Sequence, residues 1–119
     1  MFKVDPETRK ITLHRGDTGV ACFRLVGYTL SSNDRVLWTM KDGLGTVVKE
    51  GIYTPEDNVF RVEFLNAETD YLAPGIYQYD ARVAFNPQYD DQGRIIDGDA
   101  ISTPISPLTV ELLSTVGQI

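Results

Sequence analysis

The segment PGIYQYDARVAF, residues 74–85, changes side-chain character at almost every position. Its odd positions are aromatic or apolar and its even positions mostly polar: Tyr77, Tyr79, Ala81, Val83 and Phe85 against Gln78, Asp80 and Arg82. A period of two places one set on one face of a β-strand and the other set on the opposite face. The sequence therefore predicts a half-buried strand over these residues.

Shorter runs of the same kind recur along the chain, with turn signals between them. The further predicted strands are 10–14, 20–26, 35–41, 46–54, 58–65, 94–97 and 106–113. The DGLG segment at 42–45 is typical of a hairpin turn, because glycine supplies the positive φ that such turns need. Residues 66–75 have room for a single helical turn. Pro104 and Pro107 are expected at a sheet edge or strand entrance, because proline donates no ladder hydrogen bond.

About seven or eight short strands at roughly ten-residue spacing are typical of an all-β sandwich or barrel. The 119 residues suffice for one core, so we expect a single β-sandwich domain over 1–119. Cys22, Trp38 and the Tyr77–Tyr79 pair follow the order of the core cysteine, tryptophan and Tyr-x-Cys of an immunoglobulin-like sandwich. The predicted fold is thus an all-β, immunoglobulin-like β-sandwich of antiparallel strands.

The same comparison predicts a structural core of Cys22, Trp38, Tyr77 and Tyr79. Tyr79 stands where the second cysteine of the immunoglobulin pattern would be, so its ring is expected to fill the volume of the absent bridge. Tyr77 is expected to bond back to the backbone of residues 68–73, as a tyrosine corner does.

Charge and composition exclude several classes of partner. The net charge of −6 at pH 7 argues against nucleic acid, which normally requires a basic surface, and disfavours an anionic membrane. The apolar runs are too short to span a bilayer. The start of the chain, MFKVDPETRK, lacks the apolar region of a secretory signal, so we expect no standard export.

No pattern in the sequence predicts catalysis, a cofactor or a metal. His14 is the only histidine and has no partner at a recognisable spacing, and Cys22 as the only cysteine excludes an internal disulfide and is read as a small buried hydrophobe. The acidic stretch DDQGRIIDGD does not follow a calcium-loop pattern and is interpreted as a solvated hairpin tip. We therefore predict a protein that is not an enzyme.

The tripeptide Arg15-Gly16-Asp17 occurs as an adhesion motif in some extracellular ligands, but it also suits a tight turn. Gly16 would take a positive φ there, and Asp17 would cap the following amides. We favour the turn.

Three stretches resemble the N-terminal domain of upper baseplate proteins from tailed phages of Gram-positive hosts. They are ITLHRGDTGVACFRL (11–25), LAPGIYQYDARVAF (72–85) and GRIIDGDAISTPISPLTVEL (93–112). The resemblance implies a non-enzymatic structural module of a phage or prophage tail or baseplate. It also implies a virion location after assembly in the bacterial host cytoplasm, with other virion proteins or further copies of the chain as partners and a homo-oligomer as the expected state.

Two segments are candidate interaction surfaces. Tyrosine is favoured at interfaces and sugar-binding surfaces, which singles out Tyr89 with its neighbours Gln88, Asp90 and Asp91. The apolar carboxy-terminal segment suits an edge strand or partner contact, with Leu113, Val116 and Ile119 as the residues expected to be exposed. The alternative function is a carbohydrate- or cell-surface-binding module that uses Tyr89, Gln88 and the nearby aspartates. An enzyme whose site leaves no sequence pattern is a third, weaker alternative.

Overall fold

A computed structural model describes residues 2–98 and 100–114. Val116 and Ile119 of the predicted carboxy-terminal contact lie outside these residues. The described part of the chain is mostly β-structure, with ten strands and one short helix. In chain order these are β1 (Phe2–Val4), β2 (Ile11–His14), β3 (Gly19–Arg24), β4 (Arg35–Lys41), β5 (Val47–Tyr53), β6 (Val59–Phe64), α1 (Asn66–Thr69), β7 (Gly75–Phe85), β8 (Gln88–Tyr89), β9 (Ile95–Asp97) and β10 (Ala100–Leu113).

Six of the strands form one sheet in the order β1-β2-β10-β7-β4-β5, while β3 pairs with β6 and β8 with β9. All pairs are antiparallel except β2 with β10, which is parallel. The prediction of wholly antiparallel strands is therefore wrong at this pair. The backbone hydrogen bond from Arg15 N to Leu113 O, 3.0 Å long, continues the parallel ladder beyond β2.

Period-two alternation decides which side chains enter the core. Val36, Trp38 and Met40 of β4 are buried, and the odd positions of β7 from Tyr77 to Val83 are buried opposite polar even positions. The apolar face of the β3–β6 pair packs onto this inner face of the large sheet. Aromatic rings make the junction, with Phe23 and Tyr79 centroids 5.6 Å apart.

Tyr77 and Tyr79 both lie in the core with their hydroxyls bonded. The Tyr77 hydroxyl donates to Ala73 O at 2.7 Å, which confirms the predicted bond back to residues 68–73. The Tyr79 ring stacks on Trp38 at 5.4 Å, and its hydroxyl donates to Arg9 O at 2.5 Å. Desolvation by burial raises the pKa of Tyr79 to about 12. The strand is therefore anchored through ring packing and hydrogen bonds together.

Cys22 is exposed, so its predicted place in the core is wrong. Its neighbours Ala21 and Phe23 are buried, and the pleat of β3 necessarily turns Cys22 to the other side. Phe23 rather than the cysteine reaches Tyr79 across the two sheets.

The last strand is longer than expected. β10 continues through Pro104 and Pro107, which were expected to mark an edge or a strand entrance. Register shifts between Ser102 and Ile105 and between Ile105 and Leu108 accommodate both prolines, as β-bulges do. This half of β10 pairs only with β7, because β2 joins from Val110 onward. Pro104 and Pro107 thus lie in the part of β10 that has a free edge on one side.

Candidate interaction surface

The large sheet turns a mixed polar and apolar surface away from the core. We call it the outer face and define it by Leu37, Thr39 and Lys41 of β4, Glu50 and Ile52 of β5, and Gln78, Asp80 and Arg82 of β7. Cross-strand pairing sets Leu37 beside Arg82 and Thr39 beside Asp80. Pairing with β5 then adds Ile52 next to Leu37. The outer face is consequently one continuous patch over three strands.

The charged side chains of the outer face have no partner among the described residues. Among residues 2–98 and 100–114, Lys41, Glu50, Asp80 and Arg82 make no ion pair and no side-chain hydrogen bond. Asp80 is half-buried, whereas Arg82 is exposed. These side chains are therefore available to pair with opposite charges from another molecule.

A groove of about 370 Å³ lies at one side of the outer face. Its walls come from Leu37, Glu50 and Ile52 on the sheet and from Arg94 and Ile95 at the β8–β9 hairpin. Ile52 is 47% exposed, which is high for a large apolar side chain on a sheet. The hairpin therefore borders the outer face and extends its apolar area.

Residues 86–93 contain the start of this hairpin, with β8 at Gln88–Tyr89. Asp90 Oδ1 accepts hydrogen bonds from Gln92 N and Arg94 N, both at 2.9 Å, so its carboxylate holds the turn. The hairpin-tip interpretation is therefore confirmed for residues 90–94, whereas Asp97 belongs to β9 and Asp99 lies outside the described residues. Of the predicted contact residues in this segment, Gln88, Tyr89 and Asp91 are exposed. Asp90 is half-buried, and its carboxylate makes the hydrogen bonds of the turn.

Leu113 at the end of β10 is not an exposed contact residue. It is half-buried and pairs in parallel with His14 of β2. The prediction of an exposed Leu113 is wrong, because a strand joins β10 where the sequence indicated a free edge.

The Arg15–Asp17 segment forms a packed turn. Gly16 has φ +80°, its N–H donates to Thr69 Oγ1, and its carbonyl accepts from Asn66 Nδ2, both at 2.9 Å. Asp17 Oδ2 accepts from His14 N at 2.9 Å. The turn is thus held against α1, which confirms the turn interpretation and disfavours adhesion. The Asp17 carboxylate accepts from the preceding His14 amide, where the following amides were expected.

Lys49 is a buried charge on the large sheet that the sequence did not reveal. It lies on the edge strand β5, yet its side chain is only 8% exposed, and its Nζ is 2.6 Å from Glu68 Oε2. The same ammonium stands 5.2 Å from the centroid of the Phe64 ring. An inward-pointing charge on an edge strand opposes strand addition from another chain. A faint signal was the interruption of the β5 pattern at Val47 and Val48, where a register shift hides the alternation.

Within the described ranges, no three His, Cys, Asp or Glu side chains are grouped so that they could hold a metal ion. No helix in that part of the chain has the length and apolar character needed to cross a membrane. No protein-family model and no curated protein matches the chain.

Proposed function

We propose that the chain is a non-enzymatic assembly module of a phage or prophage tail or baseplate and acts in the virion through protein–protein contacts. The resemblance of residues 11–25, 72–85 and 93–112 to baseplate domains supplies the context. The outer face is the observation that carries the proposal, because it combines unpaired charges with exposed apolar side chains on a broad rigid sheet. The inward Lys49 favours this face over the adjacent β5 edge as the contact.

We further propose that the two packed sheets are the layers of an immunoglobulin-like sandwich. The strand order, the parallel β2–β10 pair and the β3–β6 pair on the opposite side support this assignment. The Tyr77 hydroxyl bond to Ala73 O is a tyrosine corner in geometry. Phe23 and Tyr79 together stand in for the inter-sheet disulfide of antibody domains. Such a scaffold presents large flat faces, which suits an assembly role.

Light scattering over protein concentrations from about 1 to about 100 μM tests the proposed assembly role. An assembly module is expected to reach one defined oligomer as the concentration rises. A chain that keeps the monomer mass throughout this range would contradict the proposal.

The exposure of Tyr89 on the hairpin favours carbohydrate or cell-surface binding as a second candidate function. A glycan array followed by titration tests it, with Tyr89→Ala as the variant and Tyr71→Ala as the control at another exposed tyrosine. A sugar-binding module would stay monomeric and lose its ligand in Tyr89→Ala alone. Under the assembly proposal the array shows no specific ligand.

A further inference from the structure

We propose that the outer face binds a second copy of this chain about a twofold axis, with Asp80 of each copy paired to Arg82 of the other. The inference rests on the proposed assembly function and names the partner of its contact surface. Its first support is the spacing of the two side chains. They stand two residues apart on β7, point to the same side, and carry opposite charges without partners in the described structure.

A twofold axis makes this spacing self-complementary. Consider a twofold axis that lies midway between two stacked sheets, runs perpendicular to β7 and passes over Ala81. It lays the two copies of β7 antiparallel and sets Arg82 of each over Asp80 of the other. Asp80 and Arg82 each lie one position, about 3.4 Å along the strand, from the axis. A rotation between the stacked sheets therefore moves the two side chains apart only slightly. Sheets stack about 10 Å apart, a gap that extended arginine and aspartate side chains can bridge.

The charge balance of the outer face favours a copy of the same chain over a partner of one sign. Its two cations, Lys41 and Arg82, equal its two anions, Glu50 and Asp80, although the whole chain carries −6. A nucleic acid or a strongly acidic protein would instead select a face of one sign. Because two acidic chains repel one another overall, local pairs of opposite charge are what a self-contact needs.

Apolar side chains beside the charge pair supply area for burial. Leu37 is the cross-strand neighbour of Arg82, and Ile52 is the cross-strand neighbour of Leu37. Ile76, two residues before Gln78 on β7, is 57% exposed. An interface with a central charge pair and apolar flanks excludes water from the pair, which strengthens it.

Charge reversal tests the contact. Arg82→Asp places two like charges at each pair site, and we expect the dimer dissociation constant to rise at least about tenfold. Asp80→Arg is expected to do the same. The double variant Asp80→Arg/Arg82→Asp re-creates both pairs and is expected to return the constant to within about threefold of wild type. Sedimentation equilibrium on the full chain measures the dissociation constants of the wild type and of these three variants.

Arg61→Asp is the matched control, because it makes the same change of charge at an exposed position on β6, outside the outer face. It is expected to leave dimerisation unchanged. Arg82→Gln, which removes attraction without adding repulsion, covers the case in which a reversal variant fails to fold. It is expected to weaken the dimer less than Arg82→Asp does.

The outcomes separate this inference from the proposed function. An oligomeric wild type whose mass responds equally to Arg82→Asp and Arg61→Asp overturns the Asp80–Arg82 contact while the assembly role stands. A wild type that is monomeric at every concentration overturns both. Failure of the double variant to regain the dimer, when it is folded, also overturns the reciprocal pair.

Discussion

The two faces of β7 differ in how completely their side chains are satisfied. On the inner face, Tyr77 and Tyr79 are buried, ring-packed or hydrogen-bonded at every polar atom. On the outer face, Asp80 and Arg82 carry charges that no other described residue neutralises. The inner face therefore stabilises the fold, and the outer face carries charges that can still pair with another molecule. Substitutions on the two faces are expected to separate stability from assembly.

The largest effect is expected from Tyr79→Ala on the inner face. The change empties a fully buried site between Phe23 and Trp38 and removes the bond to Arg9 O. We expect the free energy of unfolding to fall by about 3–5 kcal/mol. Urea denaturation followed by tryptophan fluorescence measures this. A loss below about 1 kcal/mol would contradict the central place given to the ring.

Alkaline pH gives a second test of the inner face. Burial raises the pKa of Tyr79 from 10.0 to about 12, so folding favours the neutral phenol. Its contribution to stability is complete below pH 10 and is lost as the pH rises from 10 towards 12. Tyr79→Phe is expected to show a shallower loss of stability over that window, measured by urea unfolding at several pH values. Burial also raises the pKa values of Tyr53 and Tyr77, so part of the slope remains. Equal slopes in both proteins would contradict the prediction.

Tyr77→Phe is expected to have a smaller effect. It removes only the hydroxyl bond to Ala73 O, which is worth about 0.5–1.5 kcal/mol. Tyr71→Phe is the control, because Tyr71 is 67% exposed, and its effect is expected to stay within about 0.5 kcal/mol. Thermal unfolding of the two variants side by side makes the comparison. A more stable Tyr77→Phe would argue against a tyrosine corner.

The smallest effect on stability is expected from Arg82→Gln on the outer face. Since Arg82 is exposed and unpaired among the described residues, we expect a change within about 0.5 kcal/mol. Unfolding must be measured at a concentration low enough for the monomer to prevail, because dimerisation adds apparent stability. A loss well above this range would mean that Arg82 supports the fold of the monomer.

The strands of the sheet centre were predictable because each has one dry and one wet face. The sequence boundaries of β4 and β7 and the buried set around Trp38 follow directly from period two. Cys22 was assigned to the core by analogy with immunoglobulin spacing, although it shares the parity of Arg24, an exposed charge. Alternation was the better guide there, because a one-residue shift moves every side chain to the other face.

Other features depend on contacts between distant segments. β10 passes through two prolines because bulges and a free edge remove the need for their N–H groups, and neither condition is visible in the local sequence. The buried Lys49 depends on Glu68 across a register shift. The sequence indicates that the outer face is polar. That its charges are unpaired can be seen only when the positions of all neighbouring side chains are known.

The mass of two variants at one concentration tests the division between the faces most directly. Arg82→Asp and Tyr77→Phe are compared by light scattering at a concentration where the wild type is dimeric. The account predicts a monomer for Arg82→Asp and a dimer for Tyr77→Phe. It also predicts that the free energy of unfolding falls more in Tyr77→Phe than in Arg82→Asp. A dimer for Arg82→Asp, or a monomer for Tyr77→Phe, would contradict it.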